Sequence, residues 1–443
     1  MTDIVSDSAR SRRTVSRSTA LLIVGITTVA LLISATAPSP MYVIYQQRWH
    51  FSAVVLTVIF GIYSVAVLVS VLLFGSLSDT VGRRPVLAFA LVVVMVAMVL
   101  FATAGGVTDL ILARAVQGTG IGLATGTLGA ALIELSPSGA PSRGMLINAV
   151  GPTTGMAVGA LGSGLLIEYG TAPTVLSYLI LLAVFVVCVA AVLLLPETAP
   201  NAGHGLRVVP RRVSVPAQSR RPFAVLALSI ISVWAIGGLY LSLGPSLVAE
   251  LLHSGNHVFG GLVVALLATF GAAAQLTESK LTGVRPIVIG GVLLLISLVT
   301  VALALRVNSA LLFFIGTAVL GFGWGSAFLG AFRALAALAD PAHRGELIAA
   351  IYVVAYPAMS VPSIIAGVAV QRVGLRDTAL AFIAVVAVMV AVALISLPLV
   401  TRHPNLSVHR LHLGSRRAVD AFTTPAPGPC GVPAQELPVG SAP

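Results

Sequence analysis

Arg114 lies in a run of residues, 108–134, that is otherwise nearly free of charge, with Gln117 three positions further on. A guanidinium carries five donors in a rigid planar fork, so it can hold carbonyls, waters or an anionic oxygen at the same time. In a helix Gln117 shares its face. Asp109 would sit about 140° round the helix from Arg114, and Glu134 about 30 Å along it, so neither can neutralise the charge. A second group is Gly75-Ser-Leu-Ser-Asp79-Thr-Val-Gly82-Arg83-Arg84-Pro85, a short polar link between two apolar runs. Gly82 suits a sharp turn. A carboxylate at Asp79 can meet a neighbouring helix N-terminus or an arginine fork. Enzyme chemistry finds no footing. There is no His-Glu-x-x-His, and no Ser or Cys stands beside a plausible base. Cys188 in an apolar run and Cys430 in a Pro-rich stretch lack metal-ligand spacing, so neither metal nor cofactor is expected.

The elements that must position these residues follow from composition. Of 443 residues 58% are apolar and 9% charged, whereas soluble domains are about a quarter charged. Mean hydropathy is +1.04. About 257 apolar residues match the ~240 that twelve membrane spans require. The spacing predicts spans at 19–44, 52–74, 85–105, 108–134, 144–168, 173–195, 222–249, 257–277, 286–305, 309–332, 346–369 and 375–399. Helix is the element expected, because a lipid-facing backbone must satisfy its own hydrogen bonds and a barrel would show alternation. The polar start, with Arg10, Arg12, Arg13 and Arg17, precedes an apolar run too long for a cleaved signal.

Charge sets the expected orientation. With the N-terminus inside, twenty of the Lys and Arg residues fall on the inner side and four (Arg48, Arg306, Arg372, Arg376) on the outer, as the positive-inside rule requires. The net charge of +11 therefore orients a bilayer protein, and nucleic-acid binding is not expected. Both termini should be cytoplasmic, in a bacterial inner membrane. The expected organisation is a tail at 1–18, a six-helix bundle at 19–195, a polar loop at 196–221, a second bundle at 222–400, and a disordered Pro-rich tail at 401–443.

The two halves read as a duplication. An offset of 201 places Ser78, Gly82, Arg84 and Pro85 on Ser279, Gly283, Arg285 and Pro286. The same offset places Gly120 and Gly122 on Gly321 and Gly323, and Arg143 and Gly144 on Arg344 and Gly345. Duplicated six-helix units are common among secondary transporters, with the site between the halves near the midplane.

These residues carry a family resemblance. The 75–85 link resembles the G-x-L-x-D-x-x-G-R-R/K signature of the major facilitator superfamily. Arg114-Ala-Val-Gln117-Gly118-Thr-Gly120 is similar to the R-x-x-Q-G-x-G pattern of its drug:proton antiporter branch, and Pro196-Glu197-Thr198 to a frequent helix 6 ending. In the helix 5 pattern G-x-x-x-G-P-x-x-G-G, Ala160 stands at the Pro and Ser163 at a Gly. The resemblance implies an all-α integral membrane protein of two six-helix bundles. It further implies a secondary transporter working by alternating access, most simply exporting a small neutral or anionic organic compound in exchange for protons. A symporter or facilitator for a small metabolite, and a transport-inactive receptor, are the other readings. The expected partners are the bilayer, a small-molecule substrate and protons, and the expected working form is a monomer.

The resemblance implies a gating latch at Gly75, Asp79, Gly82, Arg83 and Arg84. Glu346, opening helix 11, faces that cluster or merely suits a helix N-terminus. For Arg114 and Gln117 one reading is the substrate or proton path; the other is Arg114 snorkelling to the outer interface. Tyr42, Tyr63, Trp234, Tyr240, Trp324 and Tyr356 are candidates for the cavity wall, or for packing and the interface belt. No Asp, Glu or His falls in the middle of a span, so protons must pass by Arg114 with water and backbone, or by carboxylates near the mouths. The Gly-x-Gly-x-Gly runs at 118–122 and 321–325 read as close-packing surfaces.

Overall fold

The computed structural model describes residues 15–137, 142–199, 210, 212–338 and 344–401. The expectations for both tails, and for much of the 196–221 loop, lie outside these residues. The described chain is helical. The first half holds α1 (Arg17–Thr36), α2 (Pro38–Trp49), α3 (Ala53–Phe74), α4 (Leu77–Thr80), α5 (Arg83–Ala102), α6 (Val107–Glu134), α7 (Ser142–Tyr169) and α8 (Leu176–Val192). The second holds α9 (Arg220–Ser242), α10 (Gly244–Leu252), α11 (His257–Thr277), α12 (Arg285–Arg306), α13 (Ala310–Ala336), α14 (Arg344–Val373) and α15 (Leu375–Thr401). The turns that start these helices are written in the sequence: Ser16, Ser52, Asn256 and Ser309 each cap one through a side-chain oxygen, taking up an amide the helix leaves free.

Among the described residues eleven helical segments are long and apolar enough to cross a membrane, where the sequence predicts twelve. The exception is the segment expected at 173–195. There α8 has 17 residues, about 25 Å of helix, because Pro173 keeps 171–175 in turns and 193–195 turn again ahead of Pro196. Large apolar side chains such as Val187, Leu311 and Ile395 are 68%, 72% and 78% exposed, the outer surface that lipid would cover.

The duplication is visible in the backbone, with one correction to its register. Gly82 and Gly283, 201 apart, both have positive φ, at 114° and 71°. His50 and His253 end α2 and α10 in the left-handed conformation. The Gly-x-Gly-x-Gly helices, however, correspond at an offset of 203. Gly118 and Gly122 press on α3 and Gly120 on α5, while Gly321 and Gly325 press on α11 and Gly323 on α12. The extra two residues are those by which α12 exceeds α5. An Ala/Gly-rich stretch matches itself at several shifts, so identity alone chose the wrong one. The close-packing role expected for these glycines is what the backbone contacts show.

Candidate functional site

The site is built around a break in the first crossing. Pro38 and Pro40 have no N–H to return to the carbonyls of Ser34 and Thr36, four residues earlier, so the helix opens at Ala37. The opened end is taken up by side chains from other helices. Gln117 Nε2 donates to the Ser34 carbonyl at 2.8 Å, and Arg114 Nη1 to the Ala35 carbonyl at 3.0 Å. Ser163 Oγ donates to the Ala37 carbonyl at 2.6 Å. Arg114 Nη1 also donates to Gln117 Oε1 at 2.7 Å, and its Nε to the Tyr42 hydroxyl at 2.7 Å.

Arg114 is fully buried. Its guanidinium lies 5.4, 5.3 and 5.7 Å from the ring centres of Tyr42, Tyr63 and Phe101. The positive charge is held by carbonyl dipoles and aromatic faces, with no carboxylate, and Nη2 has no partner. Snorkelling to the outer interface is therefore not what this side chain does. In the second half the corresponding place belongs to Thr317, whose hydroxyl pairs with Tyr240 at 3.2 Å. Only the first half carries the charge.

Between the halves the candidate aromatics divide into groups. Tyr63 lies on α3 and Tyr356 on α14, the helices that pack against each other across the seam. Trp234 meets Tyr356 edge to face at 5.0 Å, and Tyr352 lies 5.8 Å from it. Tyr352 escaped the sequence reading, although it stands one helical turn from Tyr356 on the same face. Trp324 donates to the Val233 carbonyl at 2.8 Å and stacks on Phe328. Tyr240 lies apart, beside an apolar cleft lined by Leu239, Leu247 and Phe313.

At the end of the first half that bears the N-terminus, Arg83 ties three elements together. Its Nη1 donates to Asp79 Oδ1 at 2.5 Å and Ser78 Oγ at 2.6 Å, and its Nη2 to Glu134 Oε1 at 2.9 Å. Glu134 Oε2 accepts from Thr198, and the Glu134 carbonyl from Arg17. Glu197 receives the backbone N–H groups of Arg83 and Arg84 at 2.8 and 3.2 Å, a carboxylate on the positive end of α5. Gly82 gives the turn, and Gly75 lies against Gly126 of α6. Glu134 and Glu197 are members that the sequence reading left out. Glu346 opens α14 in the other half, and the partners of Arg83 are Ser78, Asp79 and Glu134.

The two halves meet through α3 with α14 and α7 with α11. Their close approaches lie toward the ends away from the N-terminus: Ala53, Thr57 and Gly61 against Ile364 and Gly367, and Ala160 and Gly164 against His257 and Gly261. There Glu168 also accepts from the His257 backbone at 3.0 Å and pairs with its ring at 3.2 Å. At the opposite end the Asp79–Arg83–Glu134 knot belongs wholly to one half.

Three comparisons bear on this arrangement. The family described as Major Facilitator Superfamily matches residues 24–362. No curated protein matches the sequence. Among solved structures, a bacterial homolog of the human lysosomal transporter Spinster, inward-facing and occupied, aligns with TM-score 0.69 at 13% identity, over 86% of this chain and 97% of that one. A POT family transporter in complex with 5-aminolevulinic acid aligns at 0.70 and 12%, over 86% and 96%. The human organic anion transporter MFSD10 aligns at 0.62 and 16%, over 85% and 99%. At such identities the likeness is one of fold.

Proposed function

Because the chain belongs to the Major Facilitator Superfamily, a family of membrane transporters, we propose that it is a secondary transporter that exports a small neutral or anionic organic compound in exchange for protons. The observation that carries this is the asymmetric seam. The halves are pressed together at one end by small-residue contacts and the Glu168–His257 pair, while the knot at the other end stays within a single half. That is one of the two states alternating access requires. With the N-terminus cytoplasmic, as the charge asymmetry indicates, it is the inward-open state, in a bacterial inner membrane. The short α8 supplies the twelfth crossing.

The aromatic side chains between the halves support this substrate class. Tyr63, Tyr356, Trp234 and Tyr352 offer aromatic faces and hydroxyls. No Asp or Glu lies at mid-span to balance a cationic substrate. Arg114 holds the broken α1–α2 crossing and its aromatic surroundings in one geometry, and so serves the path by shaping it. When the halves rock, Asp79 exchanges its half-exposed contact with Arg83 for the facing half, latching the inner end.

The chain works as a monomer, and the test is flux through the purified protein in proteoliposomes. A panel of small organic anions and neutral compounds would be scored with and without an imposed pH gradient. Uphill movement driven by the gradient is expected. Flux indifferent to the gradient would make the protein a facilitator, and binding without flux a receptor; either result overturns the exchange reading.

A further inference from the structure

Helix α11 ends at Glu278, a carboxyl group that forms no ion pair among the described residues. Gln275 and Glu278, three residues apart, share the face that α13 covers. Gln275, Glu278 and the α13 residue Ser326 are 1%, 5% and 0% exposed. Gln275 Oε1, Glu278 Oε2 and Ser326 Oγ are each buried and each without a hydrogen-bond partner. Buried polar atoms are almost always paired, so three in one place require an explanation.

The helices bring them together. Gly271 lies against Gly321 and Gly325, so α11 and α13 run side by side in the same direction. Helical side chains lean toward their own N-terminus. Glu278 therefore reaches back along α11 toward Ser326, whose hydroxyl faces its carboxyl, with Gln275 one turn above. The charged groups on the surrounding elements are engaged elsewhere or turned outward. Arg333 of α13 donates to the Leu281 carbonyl at 3.4 Å. Lys280, Arg143 of α7, and Arg220 and Arg221 of α9 are exposed, and Arg285 opens α12. None of them forms an ion pair with Glu278.

Two acceptors share one donor, the Ser326 hydroxyl. An ionised carboxylate here is largely desolvated, with the Ser326 hydroxyl as its close polar neighbour, and burial pushes the Glu278 carboxyl up from the usual carboxylate range. One proton resolves all three atoms. A neutral Glu278 can donate to Gln275 Oε1, one turn away on the same face, and accept from Ser326. We propose that Glu278, with Gln275 and Ser326, is a proton-binding site and the carboxyl through which this chain couples to the proton gradient. The step is proton transfer alone: hydronium gives its proton to the Glu278 carboxylate and leaves as water, and the reverse occurs when the site is hydrated. In the second-half copy of the loop signature Lys280 stands in the place of Asp79. The carboxyl of that copy sits two residues earlier and is turned into the protein.

The coupling clause rests on the exchange reading above, so the test separates site from coupling. Infrared difference spectra of the full-length protein in lipid nanodiscs would be recorded through a pH titration. The carbonyl band of a protonated carboxyl should persist above the ordinary carboxylate range, vanish in Glu278→Gln, and survive in Glu250→Gln, a glutamate at the other end of the fold. A band unchanged by Glu278→Gln overturns the site, as does its loss on adding sodium at fixed pH, which would make the occupant a metal cation. In proteoliposomes Glu278→Gln should keep substrate exchange and lose at least tenfold of the gradient-driven flux. Full gradient response in that variant overturns the coupling. A wild-type protein indifferent to the gradient overturns the exchange reading instead, and the infrared band still decides the site. Glu278→Asp, which keeps the acid on a shorter stem, should retain a shifted band.

Discussion

Replacing Arg114 by lysine tests whether the guanidinium is needed as a fork or only as a charge. Arg114 uses two nitrogens to reach the Ala35 carbonyl, Gln117 Oε1 and the Tyr42 hydroxyl at 2.7–3.0 Å, from a position enclosed by three rings. A lysine ammonium is a single point of donors on a flexible stem. It can satisfy one side of this arrangement and leaves at least one buried acceptor unpaired, at about 1–3 kcal/mol. Loss of the planar contact with the rings adds up to about 2 kcal/mol. The combined cost is ~1–5 kcal/mol, centred near ~3 kcal/mol. A tenfold change in rate corresponds to about 1.4 kcal/mol, so with half of that central cost falling on the working geometry transport should drop about tenfold. Arg114→Ala should fall at least as far, because it strands the same acceptors and opens a cavity. The assay is substrate flux in proteoliposomes with protein amounts matched, beside the melting temperature of each purified variant. Lysine at wild-type flux with unchanged melting would show that the broken first crossing does not depend on the fork, and the reasoning would fail.

Asp79→Asn should leave melting nearly unchanged, since an ion pair whose carboxylate is half-exposed contributes under ~1 kcal/mol, yet slow transport severely with substrate affinity intact; normal flux would remove the latch. Gly82→Ala should destabilise the first half by roughly 1–3 kcal/mol from backbone strain at φ 114°, ψ 152°. Its Cβ would also lie 2.6 Å from Glu197 Oε2 and push that carboxylate off the α5 terminus; a melting curve identical to wild type contradicts this. Gly261→Val should wedge the outer seam, because its side chain would run into the Ala160 carbonyl. Cysteines placed on facing residues of α3 and α14 near Thr57 and Gly367 should then cross-link more slowly than in wild type, and an unchanged rate would mean that the seam is not held shut there.

Much of the site's chemistry was legible in the sequence, because a charge inside an apolar run must be accounted for. Arg114 with Gln117 and the turn at Gly82 were read from residue type and spacing, and so was the all-helical membrane architecture. The latch group at Asp79 came with the family resemblance, and its partner stayed open between a helix N-terminus and an arginine fork. Periodicity reports a helix and the face a residue occupies, and excess positive charge marks one side of the chain.

What covers each face was decided by tertiary packing. Arg114 and Gln117 donate to the main-chain carbonyls of Ala35 and Ser34, and a carbonyl exposed by a distant proline leaves no mark at position 114. Glu134 and Glu197 joined Arg83 through approaches across 51 and 114 residues of sequence. The register of the duplication shifted by two because glycine is chosen for contact with a neighbouring helix, and only the neighbour shows which glycine corresponds to which. Glu278 reads in sequence as an ordinary charge at the end of a span. Its isolation exists only once α13 lies over it, because desolvation is a property of the space around a side chain and a sequence lists no surroundings.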